Sequence, residues 1–296
     1  MEPDASPPVR RLPPWLKVRA PGGEGYLHVK GLLRRATLHT VCEEAACPNI
    51  GECFQAGTAT FLILGDVCTR ACRFCAIRSD RPRPVDPEEA LRVAETVALL
   101  GLRHAVITSV TRDDLPDGGA SAFAEAIREC RRLSPSTAVE VLIPDLQGDW
   151  QALAAITDAG PDILNHNVET VPRLYRRVRP QAVYERSLAL LRQAKERRPD
   201  MLTKSGLMLG LGEEPSEIRQ AFFDLRAAGC DILTLGQYLR PSARHLPVAR
   251  FYPPEEFDRL GEEARALGFR HVESGPLVRS SYRAARQTEE IGTIGS

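Results

Sequence analysis

The sequence predicts an α/β protein built as a partial, open (β/α)6 barrel, with a cysteine-rich extension before it and a short C-terminal segment after it. From residue 60 onward, short apolar runs rich in β-branched residues recur, each followed by a longer amphipathic stretch. Strict alternation of strand and helix implies a parallel sheet with right-handed crossovers. No glycine-rich dinucleotide turn follows the first strand, and a full eight-unit barrel would need roughly 250 residues for itself. A doubly wound sheet is the alternative. In either architecture chemistry belongs at the carboxyl ends of the strands.

The expected strands are 60–66, 104–110, 138–145, 162–168, 203–210 and 231–238. The helix over 86–101 opens with Asp86 as cap, Pro87 at the first helical position and acids in the first turn. It closes at Gly101, a residue that readily takes the left-handed conformation. The segment 215–229 repeats this arrangement, and Pro253, Pro254, Glu255 and Glu256 start another helix ending near Gly268. Four regions follow: a flexible Pro/Arg-rich tail (1–25), an extension with three cysteines (26–58), the barrel (59–270) and a C-terminal segment (271–296).

In the 296 residues, 39 basic side chains balance 39 acidic ones, and hydrophobic residues make up 43%, a profile of a globular protein rather than a general polyanion binder. No nucleic-acid partner is expected. The N-terminus lacks the apolar stretch of a signal peptide, and no run approaches the roughly 18 apolar residues that span a bilayer. A reducing, cytoplasmic location without membrane contact is therefore expected, and there structural disulfides are rare. Eight cysteines need another explanation, and six of them lie between Cys42 and Cys75. Dense cysteines in that setting read first as metal ligands. Cys130 and Cys230 stand alone and read as small buried hydrophobes.

Directly after the first strand, GDVCTRACRFCAIR places Cys68, Cys72 and Cys75 at spacing C-x3-C-x2-C on one short loop. Three thiolates can bind three corners of a 4Fe-4S cluster and leave the fourth iron open. Structural zinc normally takes four protein ligands, so three cysteines are the wrong count unless a distant residue completes the set. The loop resembles the signature of the radical S-adenosylmethionine (SAM) family. That resemblance implies SAM bound at the open iron and its reductive cleavage to methionine and a 5'-deoxyadenosyl radical. Phe74 matches the family's usual aromatic and is expected at the cofactor; packing under the loop is the alternative.

Upstream, VCEEAACPNIGECF holds Cys42, Cys47 and Cys53 at spacing C-x4-C-x5-C, and SGPLVRSSYRA near the end carries Arg279, Ser280, Ser281 and Tyr282. The bare cysteine pattern also suits zinc. With the first loop and the RSSY ending, however, it resembles the lipoyl synthase family over most of residues 38–286. The resemblance implies an auxiliary 4Fe-4S cluster held by Cys42, Cys47, Cys53 and one serine, Ser281 or alternatively Ser280. Oxygen is a poorer partner than thiolate for such iron, so this ligand would be labile.

Further candidates for SAM or substrate sit at expected strand ends: Asp113 and Asp114 with Arg112, Gly118 and Gly119; Asn165 and Asn167 with His166; Lys204; and the turn at 210–213. A capped loop and satisfied buried amides are their structural alternatives. Arg173, Arg176, Arg177 and Arg179 form a basic group that could meet an acidic carrier protein, or be a solvated helix face.

The lipoyl synthase resemblance implies insertion of two sulfur atoms at carbons 6 and 8 of a protein-bound octanoyl group. It implies as partners an octanoylated lipoyl carrier domain or glycine-cleavage H protein, an electron donor such as ferredoxin or flavodoxin, and an iron-sulfur cluster carrier. The rival readings are another sulfur-inserting radical SAM enzyme and a non-catalytic iron-sulfur electron carrier; carriers close all four iron sites with cysteine.

Overall fold

The computed structural model describes residues 12–18, 20–56 and 58–291. In chain order the elements are α1 (Glu24–Arg35), β1 (His39–Thr40), α2 (Val41–Glu44), α3 (Ile50–Gln55), β2 (Thr60–Ile63), β3 (Val67–Cys68), β4 (Arg78–Ser79), α4 (Glu89–Leu99), β5 (His104–Ser109) and α5 (Ala120–Leu133). There follow β6 (Ala138–Leu142), α6 (Trp150–Asp158), β7 (Ile163–Asn165), α7 (Tyr175–Val178), α8 (Tyr184–Arg197), β8 (Leu202–Leu209), α9 (Pro215–Ala227), β9 (Ile232–Gln237), α10 (Pro254–Ala266), β10 (His271–Ser274) and α11 (Ala284–Ile291).

One sheet runs in the order β1-β2-β5-β6-β7-β8-β9-β10. β1 is antiparallel to β2, and every later pair is parallel. Spatial order follows chain order without reversal, so the sheet has no switch point and the doubly wound alternative is excluded. The outer strands β1 and β10 are not paired with each other, which leaves the barrel open.

All six expected strands fall on observed ones. The sheet extends further at both margins. β1 comes from the cysteine-rich extension, and β10, inside the expected C-terminal segment, adds a seventh parallel strand. Two and four residues are too few to display a clear period of two. The stretch 1–25 is not a free tail over its described part: Pro14–Leu16 forms a 3-10 turn, and Leu16 is buried.

The helix boundaries follow the local chemistry. α4 starts at Glu89, after a turn in which Asp86 Oδ1 accepts the Glu88 N–H at 2.9 Å. α9 carries a capping box between Glu214 and Glu217 with Pro215 in its first turn.

Side chains alternate along each strand, so Ile163 and Asn165 share a face, as do Leu202, Lys204 and Gly206. Ile163, Leu202 and Ile232, each first in its strand, form a separate apolar cluster that floors the barrel. Above it lies a buried polar layer. Lys204 Nζ donates to Glu140 Oε1 at 2.9 Å, Asn165 Nδ2 donates to the same oxygen at 3.0 Å, and the His104 ring lies 3.1 Å from Oε2. Burial pushes the Glu140 carboxyl up, but the Lys204 ammonium and the His104 ring outweigh it and hold the group at about 2.

Candidate active site

Leu64 and Gly65 take positive φ of 66° and 86°, which ends β2 and turns the chain into the first cysteine loop. β3 and β4 close that loop by pairing Val67 with Arg78 and Cys68 with Ser79. Its base is pinned to the end of the next strand unit: Thr69 N–H and Oγ1 donate to Thr111 O at 3.0 and 2.9 Å. The Cys68 thiol accepts N–H bonds from Arg70 (3.4 Å) and Thr111 (3.3 Å). The Cys75 N–H donates to Cys72 O at 3.2 Å, and the His245 ring lies 2.9 Å from Cys75 O. Burial pushes the Cys75 thiol up to about 12, and the neighbouring Cys72 and Cys68 push the same way. The three cysteines thus share one loop at the carboxyl end of β2, where an iron-sulfur cluster would take them as thiolates. Phe74 packs against the core from the loop.

Most of the other expected cofactor residues have structural duties. Asp113 receives a two-pronged contact from Arg70 (2.6 and 2.8 Å), whose guanidinium also reaches Asp145 at 2.6 Å. Asp114 is held by Arg112 at 2.8 and 2.9 Å. Both aspartates brace buried guanidinium groups, which need an anion. Asn165 and Lys204 belong to the Glu140 layer inside the barrel, so the structure does not bring them to the cysteine loop. Gly119 takes φ +91°, and an added Cβ would lie 2.3 Å from Leu64 Cδ1, so this position serves close packing. At the 210–213 turn, Glu213 accepts the N–H groups of Gly210 and Leu211 at 2.6 and 2.9 Å. His166 is bonded to Ile143 O and Ser187 Oγ. Cys130 and Cys230 are fully buried, and burial pushes both thiols up to about 12.

The second triad lies under the sheet's first edge. Cys42 opens α2, where Thr40 Oγ1 accepts the Glu43 N–H as cap, and Cys47 N–H returns to Cys42 O at 3.0 Å. Cys53 sits in α3, and its carbonyl accepts from Thr58 N–H and Oγ1. Burial pushes Cys42 to about 11 and Cys53 to about 12, and each also feels the other thiols. Among the described residues no three Cys, His, Asp or Glu side chains converge tightly enough for a single metal ion. A cubane binds each thiolate to a separate iron and accepts a wider triad.

The C-terminal segment lies across this triad. Asn49 Nδ2 donates to Leu277 O at 2.7 Å, Tyr282 OH to Glu52 Oε1 at 3.1 Å, and Thr60 Oγ1 to Ser281 Oγ at 2.7 Å. Thr60 also touches the Cys42 thiol, so Ser281 stands at the second triad. Ser280 points elsewhere: its hydroxyl accepts Asn167 Nδ2 at 2.6 Å at the barrel mouth. The structure therefore separates the two serines, with Ser281 on the Thr60 and Cys42 side and Ser280 on Asn167.

Asn167 is the one asparagine of the pair that faces the mouth, and its buried Oδ1 has no partner. Glu169 follows it at φ +65°, bonded to Asn167, and burial pushes its carboxyl up. Its charge reaches Cys72 and Cys75 on one side and Arg279 on the other, while Arg279 reaches Cys47. Glu169 and Arg279 thus link the two triads electrostatically. The sequence reading missed Thr60, Arg70, Asp145 and Glu169. Arg70, set between two motif cysteines, carried a detectable signal.

The model of the radical SAM superfamily matches residues 62–225, and that of the N-terminal domain of lipoyl synthase matches residues 5–47. The lipoyl synthase of Rubrobacter xylanophilus is 60% identical over 286 residues, which is 96% of this chain and 89% of that protein. The lipoyl synthase of Nitrosococcus oceani is 59% identical over 94% of this chain and 86% of its own length. Among solved structures, HydG, a maturase of the [FeFe]-hydrogenase, aligns over 90% of this chain and 65% of its own with a TM-score of 0.55 at 14% identity. SuiB of Streptococcus suis aligns over 72% and 48% with a TM-score of 0.56 at 13% identity. These two share the fold. With identity near 60% along almost the whole length, and with both cysteine motifs and the RSSY ending in place, the chain belongs to the lipoyl synthase family.

Proposed function

We propose that this chain inserts two sulfur atoms at carbons 6 and 8 of a protein-bound octanoyl group, with Cys68, Cys72 and Cys75 holding a SAM-binding 4Fe-4S cluster. Cys42, Cys47, Cys53 and Ser281 hold a second cluster that gives up sulfur. When bound, the first cluster supplies the electron that cleaves SAM to a hydrogen-abstracting radical, and the second supplies sulfide. Unactivated C–H bonds have no usable acidity, and such chemistry is left to cofactors of this kind. Family membership makes the chain a radical SAM sulfurtransferase of lipoate biosynthesis and protein lipoylation, with a lipoyl-carrier protein as substrate, and disfavours the electron-carrier reading. Among the described residues no helix is long and apolar enough to cross a membrane.

The observation that carries the reading is the contact of Thr60 with Ser281, which brings a hydroxyl oxygen to the residue that also contacts Cys42, in a triad that lacks a fourth cysteine. The chain's own part is to hold both triads around one space. The buried Glu140 layer and the apolar floor close that space from below and exclude water. Phe74 and Asn167 line its cofactor side, and an octanoylated carrier domain or glycine-cleavage H protein delivers the acyl chain from above. A ferredoxin or flavodoxin and an iron-sulfur carrier serve as accessory partners. Anaerobic incubation of reconstituted protein with an octanoyl-lysine peptide, SAM and reductant tests the reading. The product should gain two sulfurs as 5'-deoxyadenosine accumulates, and should lose two hydrogens only when its dithiol is afterwards oxidised to the cyclic disulfide. 5'-Deoxyadenosine without sulfur in the peptide would reject the substrate, and none at all would reject the chemistry.

A further inference from the structure

Arg179 is buried, with 8% of its surface exposed, and makes no ion pair with a carboxylate among the described residues. Its Nη1 donates to Asn167 O at 2.8 Å, to Val168 O at 3.2 Å and to the Tyr175 hydroxyl at 3.2 Å. Its guanidinium lies 5.4 Å from the centre of the Tyr175 ring, and its buried Nε has no partner. Two bonds tie the first cysteine loop to this residue's own stretch of chain, one on each side of Cys72. The Ala71 N–H donates to Gln181 Oε1 at 2.9 Å, and the Arg73 N–H donates to Val178 O at 2.9 Å. The residues flanking Cys72 are thus fastened to residues flanking Arg179. A locked, poorly solvated cation stands beside one corner of the triad.

We propose that Arg179 is a positioning residue for electron entry, its fixed positive charge stabilising the reduced state of the cluster held by Cys68, Cys72 and Cys75 and raising that cluster's reduction potential. The inference rests on the cluster assignment given under the proposed function. One electron enters from the external reductant, and no bond forms or breaks in this step. The reduced cluster is more negative by one charge, so a nearby cation favours it, and burial limits screening by salt. Cluster potentials respond to such local charge and hydrogen bonding.

The test is a redox titration followed by electron paramagnetic resonance on reconstituted wild-type, Arg179→Gln and Arg179→Lys proteins, read on the cluster signal that changes when SAM is added. In Arg179→Gln the ratio of reduced to oxidised cluster at a fixed poise should fall about tenfold, equivalent to about 59 mV for one electron. Arg179→Lys keeps the charge and should retain most of the wild-type potential. Equal potentials in wild type and Arg179→Gln would overturn the proposal, as would equal losses in Gln and Lys. Loss of that cluster, or of the circular dichroism signal, in both variants would assign Arg179 to cluster binding or folding and overturn the redox role. A wild-type protein without any SAM-sensitive signal would refute the cluster assignment, and this inference with it.

Discussion

Thr60 Oγ1 donates to Ser281 Oγ at 2.7 Å and joins the first barrel strand to the C-terminal segment across 221 residues. The bond fixes the serine that faces the second triad. Thr60→Val keeps the β-branched shape and removes the donor, so strand β2 should persist while Ser281 loses its tether. Ser281→Ala should abolish sulfur insertion and leave SAM cleavage measurable. Thr60→Val should show a weaker form of the same defect, with iron of the second cluster lost faster during gel filtration. Ser280→Ala, which breaks only the bond to Asn167, should retain sulfur insertion. The reverse ranking of the two serine variants would reassign the ligand.

Gly236 makes the seat of that segment possible. An added Cβ would fall 2.1 Å from Val278 O and 3.3 Å from Arg279 Nη1, and the first of these is main chain and cannot rotate away. Gly236→Ala should therefore destabilise the fold by about 1–3 kcal/mol, the usual range for overpacking, and lift residues 278–281 from the mouth. Iron analysis and thermal unfolding check this together. The second cluster should be depleted while the SAM-sensitive one stays. Wild-type iron and an unchanged melting temperature would show that the segment does not depend on this contact.

How much of this could be read from the amino-acid order depended on distance along the chain. The motif cysteines were legible because each triad is compressed into a dozen residues or fewer, and the barrel because its alternation of period is local. The partners of Thr60, and of Arg70 with Asp145, lie 221 and 75 residues away, and nothing in the local sequence pointed to them. Glu140 was readable in principle, since an acid inside the apolar run AVEVL demands a buried partner. That partner proved to be Lys204, and the same acid also holds Asn165 inside the barrel. For Asp113 and Asp114 the order alone could not separate two duties: an acid at a strand end looks alike whether it awaits a ligand or neutralises an arginine, and both of these hold a guanidinium.

The expected basic docking group contracts to two residues. Arg173 is paired with Glu217 at 2.7 Å and Arg179 is buried, while Arg176 and Arg177 project from α7 into solvent. Charge reversal of Arg176 and Arg177 together should weaken turnover of an acidic carrier protein several-fold and flatten its salt dependence. An octanoyl-lysine peptide should be spared. Equal losses with both substrates would place the defect in folding or SAM binding and remove the case for docking here.

His166 sets a pH signature on stability. Burial, reinforced by the Arg179 and Arg70 cations and opposed by Ile143 O and Asp145, holds its ring at about 4 against an ordinary value near 6.5. The unfolded chain takes up a proton below about 6.5 that the folded chain refuses until about 4. Stability is therefore lost as pH falls through that window, by about 3 kcal/mol in full. Asp145 and Glu140, held at about 2, add their losses only below about 4.5, and buried Glu89 and Glu169, pushed up, work in the opposite direction. His166→Asn can still donate to Ile143 O but cannot titrate. Urea unfolding from pH 6.5 to 4.5 should give a shallower acid slope for the variant than for wild type; parallel slopes would exclude His166 as the source.

The two triads should separate by chemistry although their ligands are alike. On the proposed reading Cys68, Cys72 and Cys75 hold the cluster that cleaves SAM, so replacing any one with Ala should abolish both 5'-deoxyadenosine formation and sulfur insertion. Cys42, Cys47 and Cys53 lie apart from that loop, in α2 and α3 and the turn between them, and on the proposed reading hold the cluster that supplies the sulfur. Their Ala variants should keep measurable SAM cleavage and about half the iron, since one of two equal clusters remains, and lose sulfur insertion. Wild-type protein reconstituted with heavy sulfide should pass that label into the product before any exogenous sulfide does. Unlabelled product would exclude the second cluster as donor. Full sulfur insertion by Cys42→Ala would go further, because a buried thiol beside Thr60 and Ser281 would then have no part in the chemistry its position implies.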